Sequence, residues 1–346
     1  MDKKGKIHLA LIGTDSLRGR EIKTVLEGKP FPFGRMDFFD PDVEGEYSKL
    51  TQFRNEPKVI TAANEEALTG IDLLFLAADK KVNQRFGGMA AQIEIVMIDL
   101  EESFAGKKTA PVVVAGVNAD KVLRSRPRLI ANPHPAALML SHIFKALQGT
   151  AVVSRAAAHV LQPVSAYGEA GIQELADQSV DMLGSTALTK KVFKAQIAFN
   201  LLSQVSPVDK QGFSAQERQI LSEVRQIMEE RDLPLSVALL QAPVFHAYSI
   251  MLYLEFEEEV TLARVEEGLK AWPTLKFVPP SQSHSLSVIS AAGQDKILVG
   301  QLKQDKTRPQ IFWIWMAADN LTRCSALNAY EVARIIADEY WFDRKP

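Results

Sequence analysis

The stretch IHLALIGTDSLRG (7–19) decides how the first third of the chain is built. Its first half is a nearly continuous apolar run, as expected of a parallel strand buried on both faces. Its second half, GTDSLRG (13–19), turns the chain, and a helical stretch follows through Glu27. Strand, glycine turn and helix in that order form the edge on which a dinucleotide fold grips pyrophosphate. Gly13 and Gly19 stand at the outer positions of that fingerprint. Ser16 holds the middle position, where backbone must approach phosphate closely, and Asp15 adds negative charge. The candidate cofactor contacts of this loop are therefore Gly13, Thr14, Asp15, Ser16, Leu17 and Gly19. After the second strand, DPDVEGE (40–46) offers Asp40 as an acceptor for a ribose 2′-hydroxyl, whereas Asp40 and Asp42 would repel a 2′-phosphate. NAD binding is expected to be weak, and NADP is disfavoured.

Outward from this edge the pattern repeats. RMDFF (35–39), IDLLFLAA (71–78), IEIVMIDL (93–100) and PVVVAGV (111–117) read as further strands, with room between them for crossovers. This predicts an α/β, Rossmann-like doubly wound parallel sheet. From about Thr150 the style changes. VVSRAAAHVLQ (152–162) reads as a long strand, and GEAGIQELADQSVDML (168–183) and SAQERQILSEVRQIMEE (214–230) read as helices. IMLYLEFE (250–257) alternates, with Ile250, Leu252, Leu254 and Phe256 facing a core and Met251, Tyr253, Glu255 and Glu257 facing the other way. KILVGQLKQD (296–305) and QIFWIWMAAD (310–319) add strands, and a last helix is expected over 325–340. In QIFWIWMAAD apolar groups stand on both faces, which implies burial on both and hence a homodimer made through this sheet. The expected division is 1–133 with 325–346 as the dinucleotide-type domain and 134–324 as an α+β domain.

The chain has 346 residues, 47% hydrophobic and 24% charged, enough to bury two cores. A net charge of −2 gives no global reason to expect nucleic acid or an anionic membrane as partner. No run approaches the roughly 18 apolar residues of a membrane span. The start MDKKGKIHLALIG is unlike a signal peptide, so a cytoplasmic location is the default expectation. The single Cys324 excludes an intrachain disulfide. The six histidines form no i, i+4 pair and no HExxH, so no metal is expected.

A second hinge lies at ANPHPAALMLSH (131–142), a strand end running into a helix. Pro135 falls at or near the first helical position, where its fixed φ is favourable and its missing N–H had no intrahelical partner. Such a helix start is also where enzymes place nucleophiles and bind anions. Proline supplies neither a nucleophile nor an N–H.

Taken together, GTDSLRG, PVVVAGVN, ANP, LQPVSAYGEAGIQEL (161–175), AFNLLSQV, APVFHAYS, VGQLKQD and AADNLTRCSALNAYEVA resemble the aspartate-semialdehyde dehydrogenase family over nearly the whole chain. The resemblance implies a nucleotide domain, a second domain with the acyl-transfer site and dimer interface, and a last helix returning to the first domain. It also implies a chemistry in which a cysteine thiolate attacks the aldehyde. The thiohemiacetal gives hydride to NADP, and phosphate attacks the resulting thioester.

Position by position, the family's cysteine corresponds to Pro135 and its acid–base histidine to Tyr248. The arginine that grips the substrate carboxylate corresponds to Gln241, and the Glu and Lys that hold the substrate amine and phosphate to Gln216 and Gln219. The phosphate-binding arginine falls at Ala105. Gln162, which orients the cysteine in the family, is unchanged, and Asn320 lies in the last motif as a candidate cofactor contact. The run QAPVF (241–245) and the missing cysteine are similar to the Usg-type paralogues of the dehydrogenase.

Two readings stay open. One is a dimeric scaffold or regulator without catalysis. The other is an NAD(P)-dependent oxidoreductase acting on a different aldehyde-type substrate through His134 or Tyr248. Against this, His134 at a helix entry reads as a cap or surface group, Tyr167, where the family has a small residue, and Tyr248 read as filling the vacated pocket, His246 lies two residues from Tyr248, and Cys324 reads as packing.

Overall fold

The computed structural model describes residues 7–41, 43, 49–90, 92–184, 187–204 and 206–339. The chain divides into two compact units, Met1–Pro133 with Ser325–Pro346, and His134–Cys324.

In the first unit β1 (Ile7–Ile12) leads into α1 (Leu17–Gly28) and β2 (Phe33–Asp40). Then come β3 (Lys49–Phe53), β4 (Glu56–Ala62), β5 (Leu73–Leu76), α2 (Lys80–Gly87), β6 (Val96–Asp99), α3 (Ala119–Arg124) and β7 (Leu129–Ala131). The seven strands lie in the order β3-β4-β2-β1-β5-β6-β7. All pairings are parallel except β3 with β4. Without β3 this is the doubly wound order, and the winding reverses between β1 and β5, beside the glycine turn. The β3–β4 hairpin carries polar and charged residues with Leu50 and Val59 exposed.

PVVVAGV is not a strand, contrary to expectation. Val112 makes one isolated bridge to Ala131, although Val112, Val113 and Val114 are buried. Side-chain amides supply the bonds that a second strand would have given. Asn118 accepts from Val114 N–H (2.8 Å) and donates to the Val112 carbonyl (2.9 Å). Asn328 accepts from Ala115 N–H (2.9 Å) and donates to the Val113 carbonyl (2.8 Å). Buried backbone groups need partners, and these two asparagines provide them without a ladder.

The second unit starts with α4 (Pro135–Leu147), β8 (Val153–Gln162), α5 (Gly168–Gly184) and α6 (Ala215–Met228). It continues with β9 (Leu235–Gln241), β10 (Tyr248–Phe256), α7 (Leu262–Ala271), β11 (Leu275–Val278), α8 (Val288–Ala291), β12 (Ile297–Gln304) and β13 (Ile311–Ala318). Its six-stranded sheet has the order β11-β12-β13-β10-β8-β9. Ile250, Leu252, Leu254 and Phe256 of β10 and Phe312, Ile314 and Met316 of β13 are buried on one face, which α4, α6 and α7 border. Tyr253 and Trp313 stack edge-on at 5.2 Å on the opposite face, where Met251 and Trp315 are half-buried neighbours in register.

The last helix begins later than expected. Thr322–Leu327 forms a π-helical turn, and α9 (Asn328–Glu339) follows. Ala329, Val332, Ala333 and Ile336 of α9 join Ile22 and Leu26 of α1 in the core of the first unit.

Candidate functional site

In the first unit the two glycines of the opening stretch are required by close approach. Gly13 has φ +86°, and a Cβ there would lie 2.3 Å from Ala78 N; a Cβ on Gly19 would lie 2.0 Å from the Gly13 carbonyl oxygen. Ser16 caps α1, its hydroxyl accepting from Gly19 N–H at 2.9 Å. Leu17 is the first residue of α1, and the buried Thr14 hydroxyl donates to the Phe39 carbonyl at 3.2 Å. Lys49 Nζ lies 4.0 Å from carboxylate oxygens of both the exposed Asp15 and the buried Asp40. Asp40 closes β2. Asp42 lies outside the described residues, and Lys49 partly offsets the charge of Asp40.

Arg18 of α1 pairs with Glu101 and, at 3.3 Å, with Glu102. Burial raises the Glu101 carboxyl and Arg18 opposes the rise. Burial pushes the Asp99 carboxyl up to about 6 against hydrogen bonds from Ser103 and Glu101. Ala105, half-buried, presents no charge and only donates its N–H to the Glu102 carbonyl at 3.4 Å.

In the second unit the sheet register assembles a polar row on the face that α4 and α6 border. Gln162 ends β8 directly opposite Gln241 of β9. On the other side Ser249 pairs Leu161, so Tyr248 falls next to Gln162. The amide of Gln162 is the hub. Its Oε1 accepts from the Tyr248 hydroxyl (2.8 Å) and from Gln216 Nε2 (3.4 Å), and its Nε2 donates to Gln241 Oε1 (3.0 Å). Gln241 Nε2 donates onward to the carbonyls of Gln162 (2.9 Å) and Ala242 (3.1 Å). Tyr167 also reaches this hub: burial raises its phenol, and a hydrogen bond with Gln162 opposes the rise.

The helix α6 presents Gln216, Gln219 and Glu223 three, then four residues apart, hence on one face. Glu223, only 2% exposed, accepts from His134 N–H at 2.7 Å and from Gln219 Nε2 at 2.9 Å. Sequence reading did not single it out, yet its i+7 spacing from Gln216 was the available signal. Pro135 is the first residue of α4, and His134 is its cap: Nδ1 accepts from Ala136 N–H at 3.1 Å, which puts the proton of the neutral ring on Nε2. The His134 ring meets Tyr248 edge-on at 5.3 Å. In this tautomer Nδ1 is engaged in the cap and Nε2–H is a hydrogen-bond donor.

The structure thus gathers Pro135, His134, Gln162, Gln216, Gln219, Gln241 and Tyr248 in one unit. Asn320 also lies in this unit rather than beside the glycine turn in sequence, and its side chain is engaged with Ala247 N–H (3.1 Å) and Ser165 (3.1 Å). His246 is half-buried. Cys324 is fully buried, and burial pushes its thiol far above the ordinary range, which suits packing and not nucleophilic work.

The sequence matches two family descriptions: the semialdehyde dehydrogenase NAD binding domain over residues 8–125 and the semialdehyde dehydrogenase dimerisation domain over 144–323. The chain belongs to the semialdehyde dehydrogenase family. Among its relatives is a USG-1 protein homolog of Pseudomonas aeruginosa, 29% identical over 96% of this chain and 98% of that one. An aspartate-semialdehyde dehydrogenase of Aquifex aeolicus is 26% identical over 96% of this chain and 98% of its own. The solved structure of a probable aspartate-semialdehyde dehydrogenase from Pseudomonas aeruginosa superposes with a TM-score of 0.90 at 28% identity, covering 97% of this chain and 100% of that one. In semialdehyde dehydrogenase terms, the first unit is the NAD-binding-type domain and the second the dimerisation-type domain. No described helix is long and apolar enough to cross a membrane.

Proposed function

We propose that this semialdehyde dehydrogenase family member works as a homodimer without the phosphorylating oxidation of a semialdehyde, as a scaffold or regulator. The observation that carries the reading is Pro135 at the first position of α4, the helix start at which the family resemblance puts the thiol. Proline there has no nucleophilic atom, and Tyr248, at the position of the family's acid–base histidine, donates its hydroxyl to Gln162. The expected result is no phosphate-dependent turnover of aspartate semialdehyde with NAD or NADP. Turnover that survives repurification and disappears on substitution of His134 or Tyr248 would overturn the reading and favour an oxidoreductase with another mechanism.

The open face of the second unit's sheet supports the dimer. Met251, Tyr253, Trp313 and Trp315 together make an apolar, aromatic surface that one chain leaves half-covered. Light scattering at micromolar concentration is expected to give twice the chain mass, and Trp313→Glu to give a monomer. Losing one large aromatic contact costs about 2–3 kcal/mol, and an unpaired carboxylate at the interface adds to it. A monomer mass for the unaltered chain would contradict the proposal.

For the oxidoreductase alternative, the supporting observation is Asp40 at the end of β2 with the glycine turn intact. When bound, a nicotinamide cofactor would accept or donate hydride. This chain's residues would contribute the close turn at Gly13 and the carboxylate of Asp40. Calorimetry is expected to show NAD binding only at about millimolar concentration, with NADP at least about tenfold weaker, because a carboxylate near a 2′-phosphate costs roughly 1 kcal/mol or more. NADP binding as tight as NAD would refute the charge argument.

A further inference from the structure

The glutamine row opens on a cavity of about 70 Å³ in the second unit, lined by Gln162, Gln216, Gln241 and by Ser203, Ser206 and Glu217 among others. Glu217 is the one ionisable side chain among the described residues that line it. Its carboxylate is already committed: Oε2 accepts from the Ser214 N–H (2.7 Å) and hydroxyl (2.8 Å), and Oε1 from Leu239 N–H (2.9 Å). The lining therefore offers no cation for an anion, and its one carboxylate already accepts three hydrogen bonds from the protein. An anion entering it would lose hydration without a counter-charge.

The polar atoms that remain are of both kinds. Gln162 spends Oε1 on Tyr248 and Gln216, and its N–H groups go to Gln241 and Tyr167. Gln241 spends both N–H groups on carbonyls, and its Oε1 accepts one bond and has capacity for a second. Gln216, half-buried, makes only the long 3.4 Å bond to Gln162 in the described structure, so its carbonyl and second N–H are available at the cavity. The serine hydroxyls add groups that both donate and accept. If either amide turns over, its donor and acceptor exchange places and the set keeps both kinds.

We propose that this cavity binds a small uncharged ligand carrying a primary carboxamide, whose carbonyl accepts from Gln216 and the serines while its NH₂ donates to Gln241 Oε1 and the Gln216 carbonyl. A carboxylate brings acceptors only, and an ammonium brings donors only. The carboxamide alone of the three is both neutral and matched to the lining. This rests on the reading of the second unit as a site without turnover. The two fail separately: turnover would undo that reading, whereas binding is read here without any reaction.

Propionamide, propionate and propylammonium differ little in size and test the charge and donor pattern directly. Ligand-observed NMR titration of the full chain is expected to show saturable propionamide binding. The two charged probes should bind at least about tenfold more weakly, and Gln216→Ala should weaken propionamide about tenfold. Gln241→Arg is expected to reverse the order, favouring propionate. Gln216 is half-buried, so its alanine variant, checked by circular dichroism, keeps the test decisive if Gln241→Arg does not fold. The proposal is overturned if propionamide fails to saturate at about 100 mM, if propionate binds as well, or if Gln216→Ala binds propionamide undiminished.

Discussion

Pro135→Cys on its own is expected to leave the chain at least about 10⁵-fold below a competent semialdehyde dehydrogenase, although it introduces a thiol at a helix start. Helix N-termini lower a thiol's pKa, while the burial of position 135 raises it, so partial alkylation by iodoacetamide is the expected chemistry. Turnover needs more. With Tyr248 in place of an acid–base group, the loss is about 10² to 10⁴ in rate. Gln241, Gln216, Gln219 and Ala105 each lack a charge for substrate or phosphate, and a missing charge-assisted hydrogen bond costs roughly 1.5 to 3 kcal/mol.

Adding Tyr248→His should gain part of the first deficit. Adding Gln241→Arg as well should gain part of the second, but at a cost in stability. Position 241 is 2% exposed among neutral amides, and an unpaired guanidinium there is destabilising by several kcal/mol. Gln216→Glu, on the facing helix, supplies a counter-charge. Assay of this series with NADP, phosphate and aspartate semialdehyde decides the matter. Substantial activity in Pro135→Cys alone would show that the pocket still binds and activates substrate, and would end the non-catalytic reading.

Most of the doubly wound sheet was legible because its strands carry the signal in their own residues. IHLALIG and IDLLFLAA are apolar throughout, and β10 alternates cleanly between Ile250 and Phe256. PVVVAGV carries the same signal and is not a strand, because Asn118 and Asn328 satisfy its backbone from the side. Asn328 lies more than two hundred residues away in sequence, beyond any local pattern. The β3–β4 hairpin escaped for the opposite reason: it has little buried face, so its sequence lacks the alternation that marks a strand. In the site, each of Pro135, Gln162, Gln241 and Tyr248 was visible singly. Their arrangement as one hydrogen-bonded row depends on the β9-β8-β10 register, which long-range pairing sets. His134 at the entry of α4 has the local signal of a cap, whereas the 2.7 Å bond from its N–H to Glu223 joins residues 89 apart and has none.

Acidification is expected to destabilise the second unit through His142. This residue sits within α4 with no solvent exposure, and its Nδ1 accepts from Trp272 Nε1–H at 3.0 Å. The ring is therefore neutral with its proton on Nε2, for which no hydrogen-bond partner exists among the described residues. Burial, with Arg323 as a smaller influence, pushes its pKa from 6.5 down to about 3. Above 6.5 neither folded nor unfolded chain holds the proton, and His142 costs nothing. As pH falls below 6.5 the unfolded chain binds a proton that the folded chain refuses, so stability drops until the folded pKa is reached. The loss is about 3 kcal/mol by about pH 4.5 and about 5 kcal/mol at most.

Asp99, in the first unit, acts the other way. Its pKa is raised from 3.8 to about 6, so stability increases as pH falls through that window. Comparison with His142→Gln removes this complication. Glutamine keeps an acceptor for Trp272 and does not titrate, and Asp99 is common to both chains. Three of the four tryptophans, Trp272, Trp313 and Trp315, lie in the second unit, so fluorescence-detected urea unfolding weights that unit. At about pH 7.5 the substitution is expected to cost about 1–2 kcal/mol through imperfect packing. At about pH 4.5 the order should reverse, with His142→Gln the more stable chain. An unchanged stability difference across that range would mean that His142 is protonated in the folded state, and the buried neutral imidazole would have to be abandoned.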